Sequence, residues 1–496
     1  MGLPLLVVLD LCAVFCVLYL LRRLLARESQ KVYPLPPGPK GLPLLGNVLD
    51  MPSEREWETF SKWSDAYGDI CSVTVLGQTI VVLGSTQVAI DLLDKRSAVF
   101  SDRPVATMGG ELVGWKNSLV LLPYGDRFRR FRRLFHSIIG SRTAMKQFHP
   151  TEELETRRFL RRVLAKPDDL SKHIRKQVFI HCAIILRISH GYEVKENNDP
   201  FVQLAEQATE QFSLSTAPGG FMVDFLPILR HTPTWVPVGW RIKANAWAAT
   251  LNQMVEQPYT FVKRQMAAGV APVSFTSKLL EAKEITAEEE FDIKWSSASL
   301  YSGGADTTVS ALNAFFLAMA LYPDVQAKAQ AEIDAVTGGE RLPVYADRDQ
   351  MPYIDALLKE VLRWHSVTPT GVPHRGTLVI ANIHRLTHDA RTYQDPMTFN
   401  PERFIGTEKR AAEPDPRNLC WGFGRRICPG MHLADASIFI SIAMSLAVFD
   451  VSKCVENGVV ITPVHRNTTG TISHPEPFRC AVTPRSEKAV QLIQSE

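Results

Sequence analysis

The segment that most restricts how this chain can fold is a cysteine loop near the carboxyl terminus, WGFGRRICPG at residues 421–430, followed by an apolar helical pattern. Its glycines permit tight turns that aim backbone amides at the Cys428 sulfur, and Pro429 suits the first turn of a helix. A single cysteine is more often a small buried hydrophobe than a metal ligand. Here the predicted helix dipole and the neighbouring arginines lower the pKa of the thiol and favour the thiolate, the form that binds iron. The loop therefore predicts a metal-binding cysteine, with Arg426 placed to neutralise an acidic group of a cofactor.

The cysteine loop resembles the haem-binding motif of the cytochrome P-450 family, F-x-x-G-x-R-x-C-x-G, with Trp421 where phenylalanine is usual. The resemblance implies that Cys428 is the axial ligand of the iron of haem b and that Trp421 packs against the haem. It also implies the cytochrome P-450 fold, which is mainly helical with small β-sheets (α+β).

Two further motifs match structural elements of the same family. Glu360 and Arg363, in KEVLRWH, lie on one face of a helical pattern, a spacing that usually marks a surface ion pair. Together with Arg403 in PERF they resemble the family's E-x-x-R and P-E-R-F elements. The resemblance implies that these three residues lock the core behind the haem and take no part in the chemistry.

Residues 303–308 read GGADTT within a long helical pattern. Two adjacent glycines in a helix interior cost about 1 kcal/mol each relative to alanine, so either a close helix crossing or a need for space should explain them. Thr307 can bond the carbonyl of Gly303 and open the helix locally. Similarity to the family's oxygen-activation motif implies that Asp306 and Thr307 are the catalytic pair that delivers protons, and that the glycines leave room for dioxygen.

A basic amphipathic segment, PYGDRFRRFR at residues 123–132, is ordinarily a solvated helix face. The family places a Trp and, four residues later, an Arg against a haem propionate. Phe128 replaces that Trp and Arg132 is retained, so the resemblance implies a propionate contact from Arg132 and a second one from Arg375. The remaining arginines are predicted to form a proximal basic patch for an acidic electron donor: Arg129, Arg130, Arg133 and Arg425.

The amino terminus is predicted to be a transmembrane anchor. Residues 3–21 are almost wholly apolar, and as a helix they rise roughly 28 Å, about the thickness of the hydrocarbon core. A cleaved signal peptide is the alternative, but no basic residue precedes the run and no small-x-small site closes it. Basic residues follow at once, so we expect the body to face the cytosol in a single-pass protein of the endoplasmic reticulum membrane. The predicted organisation is an anchor at 1–21, a basic and Pro-rich linker at 22–47 and a haem-thiolate catalytic domain at 48–496.

Composition excludes several other classes of protein. The net charge of +3 favours no nucleic-acid partner, and eight dispersed cysteines without a C-x-x-C pair disfavour both a disulfide framework and a structural zinc site. The sequence contains no nucleotide-binding fingerprint. With no nucleotide site of its own, the family resemblance implies that the chain takes electrons from a separate NADPH-dependent haemoprotein reductase. We also expect a monomer that contacts membrane lipid through its anchor.

One departure from the family falls directly after Arg375. The chain continues into Gly376 and an apolar run, whereas relatives usually insert an acidic segment and a G-Y-x-I-P-K hairpin. A missing hairpin is expected to expose a sheet edge, unless Gly376 lets the flanking strands turn directly into each other. The other elements are predicted by periodicity: strands at 70–75, 79–83, 378–381 and 459–461, and helices at 128–139, 287–321, 323–336 and 354–365.

Within the family the chain looks most like fungal members similar to O-methylsterigmatocystin oxidoreductase, which implies secondary metabolism. We expect a monooxygenase that inserts one oxygen atom from O2 into an apolar small molecule, a terpenoid or polyketide. The alternatives are a reductase-independent haem-thiolate isomerase or dehydratase, and a catalytically impaired member without the hairpin. Residues 221–240 are either core or a membrane-resting loop that guards an entry channel. Substrate contacts are predicted within residues 101–122, 221–240, 299–308, 367–372 and 468–473.

Overall fold

The computed structural model describes residues 34–166, 178–195, 198–217, 220–233, 236, 238–281, 284–375 and 377–495. The predicted anchor at 1–21 lies outside the described residues, as does the linker up to residue 33. Contacts divide the chain into residues 1–37 and residues 38–496, and the following description concerns the second unit.

Most of the chain is helical, as predicted. The described helices of eight or more residues are α1 (Glu56–Tyr67), α2 (Asp126–Ile139), α3 (His149–Ala165), α4 (Val178–His190), α5 (Pro200–Thr216), α6 (Gly239–Ala267), α7 (Ala287–Ala305), α8 (Thr307–Leu321), α9 (Pro323–Thr337), α10 (Pro352–Trp364), α11 (Met431–Val448) and α12 (Glu487–Gln494). Shorter helices occupy Thr86–Ala89, Ser97–Phe100, Arg142–Met145, Met222–Phe225, Phe275–Leu280, Ile383–Thr387 and Arg417–Cys420. The predicted helix at 287–321 exists, but it is interrupted at Asp306.

Two small sheets complete the fold. β1 (Ile70–Val75) and β2 (Gln78–Leu83) form an antiparallel hairpin, and β3 (Leu378–Ala381) adds to β2 in parallel. In the second sheet β4 (Phe449–Glu456) lies between β5 (Val459–Ile461) and β6 (Cys480–Pro484). Both hairpins turn through two residues with positive φ, Leu76-Gly77 and Asn457-Gly458, the pattern of a tight hairpin turn. The predicted strands are therefore confirmed, with β2 beginning one residue earlier, whereas β4 and β6 were missed.

The two most apolar helical stretches form the centre of the core. Ala287–Leu321 and Met431–Val448 are long and apolar enough to cross a membrane by length and composition. In each, 78% of the most apolar window is buried inside the protein, as expected for core helices of a globular domain. α7, α8 and α11 thus supply the apolar frame around which the remaining helices pack.

The structure brings Glu360, Arg363 and Arg403 into one buried cluster. Glu360 and Arg363 are fully buried and Arg403 is 2% exposed. Two guanidinium nitrogens of Arg363 donate to the two oxygens of Glu360 at 2.7 and 2.8 Å, and Arg403 Nε donates to the same carboxylate at 3.2 Å. Both arginines also donate to backbone carbonyls of residues 387–398, so the cluster ties α10 to an irregular segment.

The segment that lacks the family hairpin reverses direction tightly. His374 forms an antiparallel bridge with Val379, with the His374 N–H donating to the Val379 carbonyl at 3.0 Å. The Gly371 N–H donates to the Ala381 carbonyl at 2.8 Å, so residues 371–374 cover the outer edge of β3. Of the two outcomes left open by the sequence, an exposed edge and direct pairing of the flanking segments, the described residues show the second for β3. Gly376 itself lies outside the described residues.

We predict that Glu360→Gln lowers the free energy of unfolding by about 3–5 kcal/mol, because two buried arginines lose their shared countercharge. The matched control is Glu402→Gln, since Glu402 pairs with Lys328 at the surface, where an ion pair contributes about 0–1 kcal/mol. Denaturant unfolding of the full-length chain in detergent measures both variants. Equal losses in the two variants would contradict the structural role of the buried cluster.

Candidate active site

The cysteine loop is held by a close backbone contact and by its glycines. The Cys428 N–H donates to the Trp421 carbonyl at 2.7 Å, which closes the loop. Gly424 has φ +52°, and a Cβ built on it would lie 2.5 Å from the Leu93 carbonyl oxygen. A side chain at position 424 would therefore clash with backbone, which explains the glycine in the motif.

The loop enters α11 slightly differently from the prediction. The helix begins at Met431 with Gly430 as its N-cap residue, so Pro429 precedes the helix and does not occupy its first turn. The Gly430 N–H donates to the Cys428 sulfur. Cys428 therefore still lies beside the amino end of the helix, where an anionic sulfur is stabilised.

The predicted lowering of the Cys428 pKa is wrong for the polypeptide alone. Burial raises the pKa of the Cys428 thiol, and this effect exceeds the opposing effects of the Gly430 N–H and the positive charge of Arg132. The two favourable interactions exist, but the degree of burial depends on tertiary packing that a local motif does not contain. A thiol that coordinates a metal is deprotonated outright, so metal binding overcomes this cost.

A cavity of about 370 Å³ lies against the Cys428 sulfur, within the size range of small-molecule and cofactor sites. One wall comes from α7 and α8, and the opposite wall is the cysteine loop, including Trp421 and Phe423. Four of the predicted substrate-contact segments also line it: 101–122, 299–308, 367–372 and 468–473. No described residue of 221–240 lines it, so that prediction receives no support.

The two adjacent glycines, Gly303 and Gly304, lie in the wall formed by α7, and their surroundings differ. Gly303 lines the cavity, and apart from its chain neighbours and the backbone of its own helix no described atom lies within 4 Å of a Cβ built there. A Cβ on Gly304 would lie 2.9 Å from two side-chain carbons of Ile185 on α4. Gly304 lines the cavity as well, so both glycines leave space there, and Gly304 in addition permits a close helix crossing.

The helix opens at Asp306, and the predicted catalytic pair lies at this break. Thr307 Oγ1 donates to the Gly303 carbonyl at 2.9 Å, the contact expected from the sequence. Thr307 lines the cavity, but Asp306 is not among the lining residues. The Asp306 carboxylate instead lies 3.1 Å from Nε2 of His474. Asp306 and Thr307 are therefore adjacent in sequence, but Thr307 lines the cavity whereas Asp306 contacts His474 outside it.

The cavity has one strongly basic edge. Arg132 donates to the Ile427 carbonyl at 2.6 Å, and Arg426 donates to the carbonyls of Ser101 at 2.6 Å and Leu122 at 2.8 Å. The guanidinium of Arg426 lies 3.9 Å from the centre of the Phe128 ring, a cation–π contact. Arg132, Arg426, Phe128 and Trp421 therefore all meet at the cavity, as predicted.

Two further basic residues line the cavity and were missed by sequence reasoning: Arg103 and His374. His374 adjoins Arg375 in the VPHR stretch, so that stretch brings a basic side chain to the cavity. Arg375 does not line the cavity; it pairs with Asp102 at 3.0 Å, and 61% of its side chain is exposed. No local pattern marked Arg103, which a distant part of the chain brings to the site.

The basic edge fits a cofactor with acidic substituents. Burial and, secondly, the charge of Arg426 hold the pKa of Arg103 well below its ordinary value. Burial lowers the pKa of Arg426 to about 10; the negative charge of Asp102 opposes this lowering, and the positive charge of Arg132 adds a smaller lowering. Among the described residues no carboxylate forms an ion pair with any of these three arginines. Carboxylate groups such as haem propionates would relieve this repulsion, so the chemistry of the edge fits haem.

Comparisons with known proteins agree with this site. The family profile of cytochrome P-450 matches residues 36–481. The chain is 54% identical over 475 residues to cytochrome P-450 monooxygenase 208 of Postia placenta, covering 93% of this chain and 92% of the relative. It is 46% identical to cytochrome P-450 monooxygenase claR of Ampulloclitocybe clavipes, covering 96% and 90%. It is 38% identical to O-methylsterigmatocystin oxidoreductase of Aspergillus flavus, covering 96% and 93%.

The effect of an added methyl group at Gly303 and at Gly304 tests how tightly each position of α7 is packed. We predict that Gly304→Ala lowers the free energy of unfolding by about 1–3 kcal/mol, because the methyl group overlaps Ile185. Gly303→Ala is expected to leave stability unchanged or to raise it by up to about 1 kcal/mol, because alanine favours a helix and the methyl group projects into the cavity. Denaturant unfolding measures both, and changes of equal sign and size would contradict the assignment.

Proposed function

The chain belongs to the cytochrome P-450 family, and from this membership we propose that Cys428 binds the haem iron of a membrane-anchored monooxygenase acting on an apolar small molecule. The family binds haem b through a cysteine thiolate, and the relatives are oxidoreductases that incorporate oxygen from O2. One observation supports the residue assignment: Cys428 lines a cavity whose other walls include the interrupted helix of α7 and α8 and the basic edge.

Bound haem supplies the oxygen chemistry, and its thiolate ligand favours O–O cleavage. The protein's own residues have separate tasks around it. The Gly430 N–H stabilises negative charge on the Cys428 sulfur. We assign the propionates to Arg103, Arg132 and Arg426, because these buried cations share the basic edge. Thr307, whose hydroxyl donates to Gly303, is the group proposed to present a proton inside the cavity.

The substrate is proposed to be a terpenoid or polyketide of fungal secondary metabolism. The cavity wall is dominated by apolar side chains such as Trp115, Ile185 and Phe212, so an apolar molecule gains by burial there. Hydroxyl groups of Thr209 and Ser299 supply a few polar contacts. One relative is named for its action on O-methylsterigmatocystin, which supports a secondary metabolite as the substrate.

A membrane location is supported by an exposed apolar surface. Large hydrophobic side chains are solvent-exposed in two segments, at Leu42, Leu44, Leu45 and Leu49, and at Met222, Leu226 and Ile228. Phe225, Val48 and Met51 all pack against the same small buried cluster, so both segments contact it. Exposed apolar patches of this kind mark membrane or partner contacts. We propose that this surface rests on the endoplasmic reticulum membrane, with the catalytic domain in the cytosol.

The electron donor is proposed to be an NADPH-dependent haemoprotein reductase. Of the arginines predicted to form a proximal patch, Arg129, Arg133 and Arg425 are exposed, and the last two form no ion pair with a described residue. Arg129 pairs with Asp126, and Arg130 pairs with Asp292 and Glu288 at 2.7 Å. Arg133 and Arg425 are therefore the members of the patch best placed to meet an acidic partner.

The alternative functions receive less support. An isomerase or dehydratase would not need the bond between Thr307 and Gly303, which fits proton delivery to oxygen. A catalytically impaired protein would be expected if the missing hairpin disturbed the site. The direct pairing of His374 with Val379 closes that gap while His374 still lines the cavity.

We predict that Cys428→Ala abolishes the red-shifted Soret band that thiolate-ligated haem shows after reduction and carbon monoxide addition, because the sulfur ligand is lost. Cys420→Ala is the matched control, since Cys420 also lines the cavity but its thiol donates to the Leu362 carbonyl. The control is expected to retain the band. An unchanged spectrum in Cys428→Ala would remove the basis of the residue assignment.

The substrate class is tested in yeast that expresses the full-length chain with a fungal reductase. We expect panels of terpenes and polyketides to yield a product heavier by one oxygen atom, dependent on NADPH and O2, and absent with Cys428→Ala. A product of unchanged mass, formed without reductase, would instead indicate the isomerase.

A further inference from the structure

The carboxylate of Asp306 has two titratable neighbours outside the cavity. Its two oxygens lie 3.1 and 3.2 Å from Nε2 of His474, which follows the substrate-contact segment 468–473. The second neighbour is Glu206 on α5, which packs against α7. The three residues come from three separate parts of the chain and converge on the helix break.

Glu206 is electrostatically coupled to Asp306. Burial and, secondly, the negative charge of Asp306 raise the pKa of Glu206 to about 7, with a smaller contribution from Glu210. A carboxyl group with this pKa is partly protonated at neutral pH, so it can both give and accept a proton. An ordinary surface glutamate would be fully ionised and would have no proton to give.

His474 has both a fixed position and access to solvent. The His474 N–H donates to Thr468 Oγ1 at 2.9 Å, and the Thr468 N–H donates to the His474 carbonyl at 2.8 Å. These two bonds fix the base of the loop and aim the imidazole at Asp306. A quarter of the His474 side chain remains exposed, against 17% for Asp306. His474 can therefore exchange protons with water more readily than the carboxylate can.

We propose that His474 and Glu206 are positioning residues that hold and resupply the protons which Asp306 passes to Thr307 during oxygen activation. The inference rests on the proposed role of the Asp306–Thr307 pair and extends it outward to solvent. Thr307 faces the cavity and Asp306 faces His474, so the helix break separates an inner from an outer proton site.

The reaction consumes two protons for each turnover. Dioxygen, two electrons from NADPH through the reductase, two protons and the substrate C–H give one alcohol and one water. Each proton leaves His474 Nε2 or the Glu206 carboxyl for the Asp306 carboxylate, and moves on through the Thr307 hydroxyl. His474 and Glu206 then regain protons from water, so the cluster returns to its initial state.

The first test measures proton-dependent loss of dioxygen without substrate or reductase. Full-length protein in nanodiscs is reduced and mixed with oxygen, and the return of the ferric spectrum is followed in H2O and D2O. In this step the iron loses one electron, and dioxygen leaves with that electron and one proton as the hydroperoxyl radical. The variants are His474→Gln, Glu206→Gln and Asp306→Asn, with His465→Gln as the control, since His465 lies on the same segment and stacks on Trp364.

We expect His474→Gln to slow the return by about tenfold and to enlarge the ratio of rates in H2O and D2O, a smaller loss than the roughly 10²–10⁴-fold effect of a group that transfers the proton directly. Glutamine keeps a donor to Asp306 but cannot carry a proton. Glu206→Gln should show a smaller slowing, and the His465→Gln control none. All variants should keep the carbon monoxide spectrum of the parent, which separates this inference from the assignment of Cys428.

A second readout is independent of turnover. Nitrogen-15 NMR of histidine-labelled protein follows the titration of His474, identified by its loss in His474→Gln. We expect the His474 midpoint to fall in Asp306→Asn, because the carboxylate no longer stabilises the imidazolium. The charged and titratable groups that face Asp306 and His474 are Glu206 and Glu210 on α5 and His365, the residue that directly follows α10.

The inference would be overturned if the ferric spectrum returned at the wild-type rate in both His474→Gln and Glu206→Gln but slowly in Asp306→Asn. That result would leave the proposed role of Asp306 and Thr307 intact. Wild-type rates in Asp306→Asn as well would overturn both. An unmoved His474 titration in Asp306→Asn would show that the contact is absent in solution.

Discussion

The placement of the cysteine loop depends on one buried carboxylate. Glu360 joins Arg363 and Arg403, and through them it holds backbone carbonyls of a stretch with little regular secondary structure. Such a stretch has no ladder or helix to satisfy its own polar groups, so buried side-chain donors must do so. After this stretch the chain continues through the short helix Pro401–Phe404, which carries Arg403, to Arg417–Cys420 and then the cysteine loop. The charge at position 360 therefore acts on the sulfur at a distance, by fixing the path of the chain that carries it.

The wall formed by α7 and α8, opposite the cysteine loop, depends on an interrupted helix. The cysteine-loop side depends instead on buried side chains that hydrogen-bond to one another and to the backbone. α7 and α8 would form one continuous helix of the core, but the chain opens at Asp306 and gives a carbonyl to Thr307. The break places a hydroxyl in an apolar cavity and turns the adjacent carboxylate to the outside. One interrupted turn thus creates both faces of the proposed proton route, at the cost of a local loss of helical hydrogen bonding.

Local patterns were sufficient for much of the fold. Alternating apolar residues predicted β1, β2 and β3, and helical periodicity predicted α7 through α10 with small errors at their ends. β4 was missed because the chain passes from α11 at Val448 into the strand at Phe449 without a glycine or proline between them. A boundary without such a residue leaves no signal for the change of period.

The site was predictable where a motif fixed its own geometry, as in the contact between Thr307 and Gly303. It was not predictable where remote segments meet. Arg103 donates to the Val372 carbonyl, 269 positions away, and Asp306 meets His474 across 168 positions. The side chain of Arg375 pairs with Asp102 while its neighbour His374 lines the cavity, and the direction of the Cys428 pKa shift depends on burial. Each of these points concerns tertiary environment, which a sequence motif does not encode.

The tight reversal between His374 and Val379 also bears on how such chains change in length. His374 and Val379 are joined by two backbone hydrogen bonds. The length of the connection between them therefore does not affect the register of β3. Lengthening a flexible connection costs only about 0.6 kcal/mol for each doubling. An insertion or deletion at this point can therefore be accommodated with His374 still at the cavity.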